Sequence, residues 1–261
     1  MTIRAPIFDA IRDARGRGWQ SGDPEIAAID QFLTGIGVPS ASAPSPALPL
    51  IKVGLTDEDF QWAAQELGCQ VAQIRAVDEV ESGGGWFTDM RAEILAIDGP
   101  GGFVDGQELP KILFEAHKFD AFTGGRFRAS HPNISSKGWN RALYAGGQAE
   151  YVRLHRAMEL DREAALKSAS VGRYQIMGFN HAAAGFDDVE AFWSAMKSSE
   201  RAHLEAFVAF IRSSHLVGAL RRISIFHADC VPFAKGYNGS AFASHDYHKK
   251  IARAFKKWSM M

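Results

Sequence analysis

The sequence predicts an α+β protein that is predominantly α-helical, and three observations carry this prediction. Apolar residues recur every three or four positions through most of the chain after residue 54, which is the spacing of a buried helix face. Strand-like segments are few and short, at 111–119 and 174–177. The 261 residues, of which 46% are apolar and 23% charged, suffice for one large domain with a small appendage.

The first 50 residues differ in pattern from the rest. Residues 1–38 hold two short helical patterns and form a predicted helical appendage, too small to fold alone. Residues 39–50, PSASAPSPALPL, have the composition of an extended linker. We therefore predict an appendage at 1–38, a Pro/Ser-rich linker at 39–50 and the main domain at 51–261.

The main domain opens with two predicted helices. Thr56 and Asp59 form a capping pair for the first helix, which Gly68 ends. The second begins near residue 70 and carries apolar residues on one face. Glu81 lies one position past that apolar stripe, just before the sequence SGGG ends the helix.

Further elements follow along the chain. Helical patterns begin near residues 148 and 161, fill 189–220 and close the chain in the tail YHKKIARAFKKW. The segment KILFEAHKF at 111–119 fits a strand and a short helix equally well. Residues 174–177, between two glycines, fit a strand.

Composition and charge exclude several classes of protein. Two cysteines rule out a disulfide-rich scaffold, and no apolar run approaches the roughly 20 residues of a membrane-spanning helix. A net charge of −1 gives no reason to expect nucleic-acid binding. The charge is uneven, however, with a net of −9 in 51–110 and +9 in 111–261. This asymmetry indicates either a basic face for a polyanionic partner or two halves that pair with each other.

Glu81 is the most informative single residue. A carboxyl group at a helix C-terminus meets the negative end of the helix dipole, and nearby Trp86 and Phe87 would add desolvation. Both effects raise the pKa, as a general acid requires near neutral pH. The alternative is an exposed helix end whose glycines form an ordinary C-cap.

Five strings in order are similar to one family. They are AVDEVESGGGWF, PKILFEAHKFDAFTGGRF, HPNISSKGWNRALYAGGQAEYVRL, SASVGRYQIMGFN and YNG. Together they resemble the N-acetylmuramidase domain of bacteriophage endolysins, from about residue 54 to the C-terminus. The order E-S, G-x-x-Q-I and Y-N-G is more distantly similar to goose-type lysozymes and soluble lytic transglycosylases.

The resemblance implies a lysozyme-like fold that cleaves the glycan of peptidoglycan, with no cofactor and no metal. It makes Glu81 the general acid and the peptidoglycan glycan strand the partner. The bond expected to be hydrolysed is the β-1,4 bond between N-acetylmuramic acid and N-acetylglucosamine. Further residues are expected to bind substrate or shape its cleft: Ser82, His117, Arg173, Tyr174, Gln175, Ile176, Tyr237 and Asn238.

An inverting hydrolase also needs a second carboxylate as its base. The candidates are Asp89, Asp98, Asp105 and Glu115, and Glu115 is our choice because it lies with His117 in an apolar segment. The alternative for Glu115 is a structural ion pair with an arginine such as Arg126 or Arg173. A lytic transglycosylase needs no second carboxylate, because the sugar's own 6-hydroxyl attacks. A non-catalytic wall-binding protein on the same fold is the rival from another class.

Two further features have competing interpretations. His227, Asp229, Cys230, His245, Asp246 and His248 are residue types that zinc accepts, but their spacing matches no closed zinc module. The basic tail either docks its apolar side on the core or contacts an anionic outer-membrane surface. The N-terminus lacks a secretory apolar core, so we expect the protein to wait in the cytoplasm and to reach the wall through a holin-like pore. Separately, we expect a monomer.

Overall fold

The first two helices lie where the sequence predicts them in the structure, a computed structural model that describes residues 54–82, 87–89, 97, 102–104 and 108–261. Helix α1 spans Asp57–Leu67 and α2 spans Val71–Ser82. The Thr56 side chain accepts a hydrogen bond from the backbone of Asp59, whose carboxylate accepts one from the Thr56 backbone at 2.8 Å. Gly68 adopts φ +59° at the C-cap, so both ends of α1 are confirmed.

Several predictions fall outside the described residues. They are the appendage at 1–38, the linker at 39–50, the glycines that follow Ser82, and the candidate bases Asp98 and Asp105. The boundary of the main domain therefore stays a prediction.

Two small antiparallel sheets follow α2. In the first, β1 (Phe87–Asp89) pairs with β2 (Glu108–Pro110). In the second, β3 (Ile112–Phe114), β4 (Ala169–Val171) and β5 (Ile176–Met177) lie side by side in that order. Ile112 lies opposite Val171 in this sheet, and Ser170 lies opposite Met177.

These strands decide the ambiguous segment at 111–119 and shorten the strand predicted at 174–177. KILFEAHKF is a strand and then a helix, because β3 ends at Phe114 and α3 spans Ala116–Phe122. The predicted strand at 174–177 is shorter than expected. Residues 172–175 instead form the turn between β4 and β5, where Gln175 adopts φ +48°.

The remaining helices agree with the predicted patterns, except for the helix at His227–Asn238, which no pattern predicted. They are α4 (Ala149–Leu160), α5 (Arg162–Lys167), α6 (Val189–Ser198), α7 (Glu200–Ser213), α8 (Val217–Leu220), α9 (His227–Asn238) and α10 (Tyr247–Trp258). Side chains of Asp161, Asp188 and Ser199 cap α5, α6 and α7 by accepting backbone N–H groups. The described residues thus form the mainly helical α+β arrangement that was predicted. Of these helices, none is long and apolar enough to cross a membrane.

The basic tail docks on the core. Helix α10 packs on α2 and α9, and its residues Ile251 and Phe255 are buried. At its C-terminal end, Lys257 Nζ and Trp258 Nε1 lie 2.7 and 2.9 Å from Glu79 Oε2 on α2. The apolar side of the tail is therefore occupied by the protein's own core.

Docking of the tail leads to a stability prediction. Ile251→Ala removes a side chain that is fully buried, so it should lower the free energy of unfolding by about 2–5 kcal/mol. Lys256→Glu, on the exposed side of the same helix, is the matched control and should stay within about 0.5 kcal/mol of wild type. Urea unfolding of both variants measures this, and equal stabilities would contradict the docked arrangement.

Candidate active site

Glu81 lies in the last turn of α2, where two other predicted residues meet it. Its carboxylate accepts a hydrogen bond from Asn238 Nδ2 at 3.0 Å, and Asn238 is the last residue of α9. Burial and the negative charge of Glu81 raise the pKa of Tyr237, whose hydroxyl donates to the Tyr174 carbonyl at 2.8 Å. Glu81, Tyr237 and Asn238, which come from motifs more than 150 residues apart, thus share one site.

The environment of Glu81 favours its protonated form. Burial raises the pKa of Glu81 to about 7, from an ordinary value of 4.5. The Asn238 hydrogen bond and the positive charge of Lys250 lower this pKa, but burial outweighs both. Burial and the negative charge of Glu81 raise the pKa of Tyr247, so this tyrosine also interacts electrostatically with the carboxyl group. Lys250 and Tyr247 were not predicted as site residues, because their helix was interpreted only as a basic tail.

An open cavity of about 400 Å³ adjoins Glu81. Its walls are the end of α2, strand β3, the turn before β5 and the loop before α4. The lining residues are Glu81, Ser82, Lys111, Ile112, Leu113, Gly147, Gly172 and Gln175. Among these described residues, Glu81 alone carries a carboxyl group. The predicted residues Ser82 and Gln175 are therefore placed beside it.

The side chain of Gln175 is held by the protein. Its Oε1 accepts from Ser170 Oγ at 2.8 Å, and its Nε2 donates to the carbonyls of Gly172 at 2.8 Å and Lys111 at 3.2 Å. These bonds fasten the turn to β3. Gln175 therefore shapes one wall of the cavity.

The neighbours of Gln175 do not reach the cavity. Tyr174 is buried and its ring stacks on Phe207 with centroids 4.4 Å apart, and Ile176 is buried in β5. Both were predicted to bind substrate or shape its cleft, and neither is among the described residues that line the cavity. The turn at 172–175 instead places Gln175 at the cavity, while Tyr174 and Ile176 pack into the core.

Arg173 also has a different role from the predicted one. Its guanidinium forms a double hydrogen bond with Asp78 on α2 and donates to Glu200 on α7 at 2.9 Å. The side chain is only 14% exposed. Arg173 therefore ties the turn that carries Gln175 to the helix that carries Glu81, and substrate binding by this side chain is corrected to positioning.

Glu115 contacts neither of the arginines considered for it. Its Oε2 accepts from the Tyr144 hydroxyl at 2.5 Å and lies 3.2 Å from His117 Nδ1. Arg126 pairs instead with Asp161 at 2.8 Å. Among the described residues that line the cavity, neither Glu115 nor His117 appears.

A buried carboxylate that sequence reasoning missed holds two walls of the cavity together. Glu150 is fully buried and accepts from the backbone N–H groups of Phe114, Ala145 and Gly146. Arg153 pairs with it at 2.6 Å. The sequence does hold a signal for this pair, because Glu150 and Arg153 are charged residues three positions apart on the buried face of a predicted helix.

The residues considered for zinc do not form a metal site. Within the part of the chain that the structure describes, no group of three or more His, Cys, Asp or Glu residues could hold a metal ion. Asp229 accepts a hydrogen bond from Ser224 at 2.6 Å, and the rings of His227 and His248 pack edge to face. Cys69 and Cys230 are both free thiols, and burial raises their pKa values.

A carboxyl group whose pKa is raised to about 7 and that lies beside an open cavity has the properties that a general acid needs near neutral pH. The N-acetylmuramidase family model, Muramidase, matches residues 70–259. The chain belongs to this family.

One solved structure agrees with this assignment. The crystal structure of the Burkholderia AP3 phage endolysin is 36% identical and matches with a TM-score of 0.64, over 80% of this chain and 73% of that chain. No curated protein matches. The similarity confirms the predicted lysozyme-like fold.

Proposed function

We propose that this chain hydrolyses the β-1,4 bond between N-acetylmuramic acid and N-acetylglucosamine in peptidoglycan, with Glu81 as the general acid. The observation that carries the proposal is the Glu81 carboxyl group, whose pKa lies at about 7, at the wall of an open cavity. Membership in the N-acetylmuramidase family and similarity to a phage endolysin support the substrate class.

The proposed reaction uses the proton that Glu81 holds. Glu81 gives it to the glycosidic oxygen as the bond from that oxygen to the anomeric carbon breaks through an oxocarbenium-like transition state. A water molecule attacks the anomeric carbon and passes a proton to a base. Asn238 orients the Glu81 carboxyl group by its hydrogen bond.

The base is the unassigned part of this mechanism. Glu115 was predicted for it, but the contacts of Glu115 with Tyr144 and His117 favour a positioning role. Asp89 lies in β1, and Asp98 and Asp105 fall outside the described residues, so all three stay candidates.

A conservative substitution separates the two roles of Glu115. Glu115→Gln keeps an oxygen that accepts from Tyr144, so we expect turnover to fall less than tenfold. Loss of a general base would lower turnover by about 10²–10⁴-fold. Steady-state hydrolysis of soluble glycan fragments measures this, and a hundredfold loss with an unchanged melting temperature would make Glu115 the base.

Product analysis distinguishes hydrolysis from the two rivals. Purified peptidoglycan digested by the wild-type chain should give fragments with reducing N-acetylmuramic acid ends in mass spectrometry. Products with 1,6-anhydromuramic ends would indicate a lytic transglycosylase. Absence of any cleavage would indicate a wall-binding protein, and Glu81→Gln serves as the control for contaminating activity.

Several partner and location predictions stay predictions. They are the monomeric state, release from the cytoplasm through a holin-like pore, and contact of the basic tail with an anionic outer membrane. Because Ile251 and Phe255 are buried, we propose that any such contact uses the exposed cationic side of α10, such as Arg253 and Lys256.

A further inference from the structure

Trp139 is an exposed aromatic residue that the proposed mechanism does not use. It exposes 62% of its surface, although an indole of this size is ordinarily covered. Its ring packs at a tilt against the ring of Tyr144, with ring centroids 6.3 Å apart and an interplanar angle of 51°. A polar contact from the Trp139 side chain also acts on the Tyr144 hydroxyl. One edge of the indole is therefore supported while much of its surface is open to solvent.

Tyr144, against which Trp139 packs, is itself held in place by its neighbours. Tyr144 donates to Glu115 at 2.5 Å, and the Arg153 guanidinium lies 5.7 Å from the tyrosine ring centroid. A short 3₁₀ turn, Arg141–Leu143, joins the two aromatic residues, and the Asn140 side chain caps it by accepting from Ala142 at 3.0 Å. The indole is thus held in place before any ligand arrives, which reduces the entropy lost on binding.

The residues that hold Trp139 and Tyr144 in place belong to the same chain segments as residues that line the Glu81 cavity. Leu113, which lines the cavity, is two residues from Glu115, and Gly147, which also lines it, is three residues from Tyr144. Glu150 binds the backbone of both connecting stretches, at Phe114 and at 145–146. The same buried carboxylate therefore holds the cavity wall and the support of Trp139.

The surroundings of Trp139 favour a sugar over a protein partner. Of its exposed neighbours along the chain, Lys137, Asn140 and Arg141 are polar or charged, and Gly138 and Ala142 carry no large apolar side chain. The centre of a protein interface is apolar, whereas a glycan offers hydroxyl and carbonyl groups beside each ring face. The C–H groups on one face of a pyranose ring are attracted to the negative face of an aromatic ring.

We propose that Trp139, which is not among the described residues that line the Glu81 cavity, forms a sugar-binding subsite beyond it, where one pyranose ring of the glycan strand stacks on the indole. This inference rests on the proposed function and adds a specificity-determining residue to it. Tyr144 and Glu115 are then positioning residues, because they act on the sugar only through Trp139.

The test uses soluble, uncross-linked peptidoglycan strands as the probe. Trp139→Ala should raise KM about threefold to tenfold, the effect of one lost aromatic contact, with little change in kcat. Trp139→Phe should restore most of the affinity because it keeps an aromatic face. Phe226→Ala is the matched control, since Phe226 is 66% exposed and lies at the N-cap of α9, at the opposite end of that helix from Asn238.

Binding to the Glu81→Gln background separates this inference from the proposed function. There, Trp139→Ala should raise the Kd for the same strands by the same factor as KM. An unchanged Kd and KM would overturn the subsite and leave the proposed function intact. Strands that bind through Trp139 but are not cleaved by the wild-type chain would overturn the function alone, and a wild-type chain that neither binds nor cleaves would overturn both.

Discussion

Glu81→Gln is expected to lower peptidoglycan cleavage by at least about 10²–10⁴-fold, the usual effect of losing a general acid. The amide keeps the shape of the side chain but carries no proton that it can give to the glycosidic oxygen. Loss of turbidity of isolated peptidoglycan measures the rate. Lysis by the variant within a few-fold of wild type would contradict the assignment.

The same substitution should stabilise the protein above neutral pH. The pKa of Glu81 is raised in the folded state to about 7, against 4.5 ordinarily, so the folded state binds more protons between these values and stability falls as pH rises. A shift of this size corresponds to about 3 kcal/mol once the carboxyl group is ionised. The melting temperature of Glu81→Gln should therefore match that of wild type at pH 4 and exceed it at pH 8. A difference that does not change with pH would contradict the raised pKa.

Arg173→Met is expected to cause the largest loss of stability, about 3–5 kcal/mol, because it leaves two buried carboxylates without their partner. Those carboxylates belong to Asp78 and Glu200, which are 6% and 3% exposed. The loss should also loosen the turn that carries Gln175. Urea unfolding measures the first effect, and KM for soluble glycan fragments measures the second.

Two comparisons make the Arg173 prediction sharper. Arg173→Lys should recover only part of the stability, because an ammonium group cannot form the double hydrogen bond with Asp78 that the guanidinium forms. Arg222→Met, at an exposed arginine, is the matched control and should change little. An Arg173→Met variant as stable as this control would show that the ion pairs contribute nothing.

Much of the fold follows from local signals in the sequence. The bounds of α1 and α10 were predictable because their signals act within a few residues. These signals are the capping pair Thr56 and Asp59, the C-cap at Gly68 and the apolar spacing of the tail. The turn at 172–175 was not, because a strand-like apolar run gives no sign that Gln175 adopts a positive φ. Tertiary hydrogen bonds to Lys111 and Ser170 hold that conformation.

The meeting of Glu81 with Asn238 was predictable, and the residues that hold the site together were less so. Glu81 and Asn238 were identified through the resemblance and do meet at hydrogen-bond distance. Arg173 pairs with Asp78, which lies 95 positions away in the sequence. This pairing depends on how the helices pack, so no local sequence pattern could predict it. Lys250 was overlooked for the same reason, since only the docking of α10 brings its charge towards Glu81.

The most direct test of the account is the titration of the Glu81 carboxyl group itself. In protein labelled with ¹³C at the glutamate side-chain carboxyl carbons, one resonance present in wild type and absent in Glu81→Gln identifies the residue. We expect its midpoint at about pH 7, because burial disfavours the ionised form. A midpoint near 4.5 would mean that Glu81 is ionised at neutral pH and would contradict its role as the general acid.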